Sequence, residues 1–180
     1  KDRRQRQMCI RDSYYPTQDK SKTILGVEQW EWLENELSKE NDLLIIVSSI
    51  QVLATNHVFE KWHNFPHERE RLLKLLENIS SPVIILSGDR HKAGLYRSKN
   101  IIEMTSSSMN KPISRPFRFI WDLLFKETDD LLNGEMYYGE NYGVLTIGVN
   151  QNLMLELKGI DGELILQHTI KKGALKAPSS

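Results

Sequence analysis

Two short apolar runs rich in isoleucine and valine, Leu43 to Val47 and Pro82 to Leu86, flank a segment with the look of an amphipathic helix. That segment opens at Pro66, whose fixed φ suits the first turn of a helix, and continues as HERERLLKLLENI. A strand, a helix and a strand of this length make a βαβ unit. Its right-handed crossover leaves a parallel sheet as the natural product, with both runs covered on both faces. This restricts the chain to the α/β class and directs attention to the strand ends, because ligands of such sheets gather beyond the carboxyl ends of the strands.

Around this unit the remaining elements are simpler. After Gly26, the apolar residues Val27, Trp30, Leu33 and Leu37 fall at helical spacing, which predicts one buried helix face. Leu95 to Arg97 and Ile101 to Met104 read as short strands. Tyr142 to Val149, Leu153 to Lys158 and Leu164 to Ile170 alternate and are separated by turn residues, which predicts an antiparallel meander. Between them the cluster Phe117, Phe119, Ile120, Trp121, Leu123, Leu124 and Phe125 suggests a short helix or irregular packing over the sheet. Residues 1–13, KDRRQRQMCIRDS, lack apolar periodicity and read as a non-native or disordered leader. Residues 14–171 read as one folded unit and 172–180 as a flexible tail.

Composition removes several function classes. Twenty-four Lys plus Arg balance twenty-four Asp plus Glu, so there is no global field to attract nucleic acid or an anionic membrane. No apolar run approaches the roughly 20 residues of a membrane-spanning helix. The single Cys9 can form no disulfide within the chain. Any recognition of an anion is therefore expected to be local.

The strand-end rule selects two places, Ser48 to Gln51 and Ser87 to His91. In the second, SGDRH, a carboxylate (Asp89) and an imidazole (His91) stand two residues apart in a turn held by Gly88. Mixed oxygen and nitrogen donors of this kind suit Zn, Mn or Fe better than Ca or Mg alone. Arg90 between them offers a two-pronged donor for phosphate. The bland readings are a turn-forming Asp, a surface His and a solvated Arg. His57, His63 and His67 lie close together, but Pro66 interrupts any shared helix face and no Cys accompanies them, so exposed loop histidines are expected. Trp62 reads as a core aromatic anchoring its loop. His168 reads as structural, and the hydroxyls of Thr105 to Ser108 as satisfying nearby backbone.

The stretches ILGVEQWEWLENEL, IIVSSIQVLA, EKWHNFPHERERLLKLL, VIILSGDRHKAGLY, IIEMTSSSMN and ENYGVLTI, in this order and spacing, resemble the C-terminal half of the PhoD-like (alkaline phosphatase D) phosphatases. The resemblance implies a partial calcineurin-like metallophosphoesterase sandwich, in which βαβ units are followed by C-terminal antiparallel strands. It implies hydrolysis of a phosphoester substrate at a centre of two or more metal ions, Fe, Mn, Zn or Ca. It also implies that Asp89 and His91 are metal ligands and take part in catalysis, with Arg90, Gln51 and Asn64 contacting substrate. Gln51 stands where the wider group usually places a metal-binding His, and as a neutral amide it suits a supporting role better. The family's early Asp-, Asn- and His-rich motifs have no counterpart in KDRRQRQMCIRDSYYPTQDK, so at most half a site is expected, and turnover by this chain alone is not. Members of such a family are commonly exported. The competing expectation is a non-catalytic α/β binding domain on the same fold.

Overall fold

The structure is a computed structural model that describes residues 15–110, 128–149 and 152–171. The expected βαβ unit forms. Strand β1 (Leu44–Ser48) lies parallel to β2 (Val83–Ser87), with Leu44 opposite Val83 and Ser48 opposite Ser87. Two helices precede these strands, α1 (Val27–Leu37) before β1 and α2 (Pro66–Glu77) before β2, and a 3-10 turn at Trp62–Asn64 leads into α2. Strand β3 (Ala93–Ser98) turns back on β4 (Ile101–Ser106) through Lys99 and Asn100, and β4 runs parallel to β2. The first sheet thus has the order β1-β2-β4-β3. The expected meander is the second sheet, β5 (Asn141–Ile147), β6 (Leu153–Gly159) and β7 (Leu164–Ile170), all antiparallel.

Alternation along the strands of the first sheet sorts two cores. Val83, Ile85 and Ile101 face Leu72 and Leu76 of α2, with Trp30 and Trp62. Ile84, Ile102 and Met104 face the other way, onto Leu153, Leu155 and Leu157 of β6. The layers are therefore helices, first sheet, second sheet. Leu72 and Leu76 lie one helical turn apart, which puts both on the face of α2 toward the sheet. The start of α1 has no side-chain cap, and Glu68 of α2 instead ties down the chain just before it and the Trp30 side chain. Its buried carboxylate accepts from Ile24 N–H at 3.0 Å and from the Trp30 indole at 2.9 Å.

Two expectations about local packing fail. Val27 is 74% exposed, so the buried face of α1 rests on Trp30, with Leu33 and Leu37 half-buried beside it. Strand β1 is not covered on both faces, since Ile45 is 40% and Val47 is 80% exposed. The reason is position. β1 is an edge strand among the described residues, and the second sheet does not reach over it. The leader 1–13, the tail 172–180 and the cluster Phe117 to Phe125 lie outside the described residues.

Candidate active site

Strands β1, β2 and β4 end side by side, because Ser48 is in register with Ser87 and Ser87 with Thr105. The loops that leave these ends are tied together by hydroxyls. The Gln51 amide Nε2 donates to Thr105 Oγ1 at 2.8 Å, and Thr105 Oγ1 is 2.9 Å from Ser87 Oγ. Ser107 Oγ accepts from the Arg90 N–H at 2.9 Å and donates to the Lys92 carbonyl at 3.2 Å. The Thr105 to Ser108 run thus fastens the SGDRH loop to the end of β4. A Cβ at Gly88 would stand 3.9 Å from the Ser106 carbonyl oxygen and 4.0 Å from that of Ser49, so all three loops meet there.

The SGDRH loop is built differently from the expected turn held by Gly88. Its left-handed residues are Asp89 (φ 58°) and His91 (φ 51°), both non-glycine. Such a backbone costs on the order of 1–2 kcal/mol for a residue with a Cβ. Residues held this way cluster at functional sites, where surrounding structure imposes them. Both are exposed, while Arg90 between them is buried, its guanidinium 4.9 Å from the centre of the Phe59 ring.

The neighbouring loop, Ile50 to Ala54, is buried throughout. Gln51 is fully buried, and its Oε1 has no hydrogen-bond partner among the described residues. A buried amide oxygen left unpaired costs about 1–3 kcal/mol, which makes it an unspent acceptor beside the SGDRH loop. The loop is held by a carboxylate that sequence reasoning missed. Glu103 of β4, with no exposed surface, accepts from Val52 N–H at 2.9 Å and Leu53 N–H at 2.6 Å. Arg69 of α2 grips the same two residues from their carbonyls, at 2.7 and 2.8 Å. Burial holds the Glu103 carboxyl above its ordinary range, against the lowering effect of Ser87, the two backbone donors and Arg69. The one signal in the sequence is an isolated acid inside the apolar strand IIEMT.

Asn64 lies fully buried in the 3-10 turn before α2, where its carbonyl accepts from Thr17 N–H at 2.9 Å. Trp62 is a core aromatic as expected, edge-on to Trp30 at 6.4 Å, with its indole N–H 3.1 Å from Ser48 Oγ. The three histidines differ from the expectation of exposed loop residues, since His57, His63 and His67 are all half-buried. His57 is the most affected. Burial, then the nearby cations Arg90, Lys61 and Lys92, push its imidazole down to about 2. Lys61, Arg90 and Lys92 are themselves buried around it.

Asp89 and His91 come from one loop and Gln51 from the next, and their donor chemistry fits one side of a metal centre. No group of three or more His, Cys, Asp or Glu side chains suited to a metal occurs among the described residues. No helix among them is long and apolar enough to cross a membrane.

Helices packed on a mixed sheet, itself packed on an antiparallel sheet, with loops converging at parallel strand ends, define part of a metallophosphoesterase sandwich. Solved structures bear out that fold. PhoD is similar with a TM-score of 0.65 and 17% identity, over 91% of this chain and 37% of that one. The purple acid phosphatase PPD1 from seeds of yellow lupin (Lupinus luteus) gives 0.61 and 18%, over 81% and 28%. GAP50, the anchor in the inner membrane complex of Plasmodium, gives 0.58 and 15%, over 84% and 43%. The chain thus spans less than half the length of each. The chain belongs to the PhoD-like phosphatase family, whose model matches residues 2–117, a span that takes in most of the stretch read as a leader. No curated protein matches it.

Proposed function

We propose that the chain is the C-terminal part of a metal-dependent phosphoester hydrolase of the alkaline phosphatase D type, contributing one side of a centre of two or more metal ions. The observation that carries this reading is the SGDRH loop, where Asp89 and His91 are both exposed on left-handed backbone at the end of a parallel strand. Asp89 and His91 would hold metal, with Gln51 Oε1 available as a neutral oxygen donor or a contact to substrate. When bound, the metals supply positive charge against phosphoryl oxygens and a water of lowered pKa. The family resemblance assigns Arg90 and Asn64 to the substrate, although both are buried in this structure, Arg90 against Phe59 and Asn64 in the turn before α2. Ser107 and Thr105 keep the two loops in place through the hydrogen bonds described above. Family membership further supports an exported enzyme whose metals are drawn from Fe, Mn, Zn or Ca.

The test is hydrolysis of a chromogenic phosphoester. This chain alone is expected to show no metal-dependent turnover, whereas a longer family protein that adds the early Asp-, Asn- and His-rich motifs turns over. There, Asp89→Asn lowers the rate at least about 10–100-fold, as expected when a ligand is weakened. Full activity in that variant, or chelator-sensitive turnover by the chain alone that His91→Ala abolishes, would overturn the assignment. A second reading, a non-catalytic binding domain on this fold, is favoured by the likeness to GAP50, which is described as an anchor. Inactivity of the longer protein with every metal supplied would select it.

A further inference from the structure

Beneath the candidate site, one face of the first sheet carries polar side chains among apolar ones. Ile85 of β2 belongs to the core under the helices. It stands opposite Glu103 of β4, as Ser87 stands opposite Thr105. Alternation along the strands puts Ser87, Glu103 and Thr105 on that same face. All three are buried, and the fully buried Gln51 meets them from the loop after β1. The four side chains are linked in a row. Ser87 makes a side-chain hydrogen bond to the Glu103 carboxylate, Ser87 Oγ lies 2.9 Å from Thr105 Oγ1, and Thr105 Oγ1 lies 2.8 Å from Gln51 Nε2.

Counting hydrogens gives the row a direction. A hydroxyl has a single hydrogen to donate, and an ionised carboxylate has none. Both Glu103 oxygens already act as acceptors, Oε1 for the Val52 N–H and Oε2 for the Leu53 N–H. Ser87 therefore gives its hydrogen to Glu103, which leaves Thr105 as the donor in its contact with Ser87. Thr105 then has no hydrogen left for Gln51. Only the amide N–H can close the last contact, so Nε2 rests on Thr105 and Oε1 is turned away from it. The flipped amide would set two acceptors, Oε1 and Thr105 Oγ1, against each other. A glutamine without this row would offer a site either an acceptor or two donors.

We infer that Glu103 is a positioning residue of the candidate site: through Ser87 and Thr105 it fixes the Gln51 amide so that the site receives the oxygen and not the NH2 group. The subsite at Gln51 then takes a cation or a hydrogen-bond donor, and a bare phosphoryl oxygen is left to other groups. What that oxygen does for hydrolysis rests on the reading of the chain as part of a phosphatase. The orientation itself does not.

The experiment reads the Gln51 side-chain amide of this chain by NMR, at mildly alkaline pH, with hydrogen exchange at Val52 and Leu53 followed alongside. In the wild type the Nε2 protons should lie close to the Thr105 side chain and exchange at least about tenfold more slowly than those of an exposed glutamine. Ser87→Ala cuts the row in the middle and frees the Thr105 hydrogen, so the amide should populate both orientations and its exchange should rise at least about fivefold. Thr105→Val, nearly the same shape, should do the same, while Thr105→Ser should keep the wild-type signature. Through all of these the Val52 and Leu53 amides should stay protected, since Glu103 still holds them. Three results overturn the inference: an amide unmoved by both Ser87→Ala and Thr105→Val, loss of protection at Val52 and Leu53 together with Gln51 in both variants, or inorganic phosphate drawing the Nε2 protons off Thr105. No outcome is read as hydrolysis, so an inactive longer protein with Gln51 held in this way would count only against the enzymatic reading.

Discussion

After β1 the chain stays buried from Ile50 to Ala54, with the N–H groups of Val52 and Leu53 taken by Glu103 and the carbonyls of the same two residues by Arg69. After β2, one strand away, Asp89 and His91 are exposed, and each sits on left-handed backbone. Both loops leave the same end of one sheet, so topology does not distinguish them. The first fixes backbone with buried charge and is costly to disturb. The second spends backbone energy to hold two donor side chains in place. A buried loop and a strained one can thus be neighbours when the first anchors the second. Here Gln51, Thr105 and Ser87 make that connection.

The comparison breaks most directly at Glu103. Glu103→Leu removes the acceptor of two buried N–H groups and leaves Arg69 without its nearby carboxylate, which should cost about 3–4 kcal/mol. Urea unfolding measures it, and a loss below about 1 kcal/mol would show that the loop does not depend on this carboxylate.

A smaller effect, of opposite sign in pH, comes from His57. Its folded pKa, about 2, lies below the ordinary 6.5, so its contribution to stability is present above pH 6.5 and is lost as pH falls. By pH 5 the loss should be about 2 kcal/mol. Glu103 runs the other way, since its raised carboxyl favours the fold below the ordinary 4.5 and loses that contribution as pH rises. The useful quantity is therefore the difference between wild type and His57→Gln, followed from pH 7 to pH 5. Parallel curves would place His57 in water.

The smallest effect tests the strained loop. Asp89→Gly removes a left-handed Cβ and should stabilise the chain by about 0.5–1 kcal/mol after the extra chain entropy of glycine is counted. Lys99→Gly, at φ 52° in the hairpin between β3 and β4, is the control and should gain a similar amount. Destabilisation by Asp89→Gly with a gain at Lys99 would mean that the carboxylate holds the loop together, which would collapse the contrast between the two loops.

Much of this arrangement is legible in single stretches of sequence. Pro66 and the leucines after it mark α2, the Ile- and Val-rich runs mark β1 and β2, and the strand-end rule marks Gln51 and Ser87 to His91. What fails is anything that needs to know a neighbour. Val27 has the right spacing to be buried, but it stays exposed among the described residues. Ile45 and Val47 look like the interior of a covered strand, and whether they are covered depends on how far the second sheet extends. His57 carries no mark of burial, because the cations around it, Lys61, Arg90 and Lys92, are brought there by the fold.

The α/β class, the order of the elements, the meander and the loops that carry the candidate donors are all written locally, because periodicity, proline position and turn chemistry act over a few residues. Long-range packing sets which buried charge holds which loop, which histidine loses its ordinary pKa and which strands are neighbours among the described residues. Those outcomes depend on contacts between residues far apart in the chain, such as Glu103 with Val52 and Leu53, and on how much surface the second sheet covers. No local pattern encodes either of them.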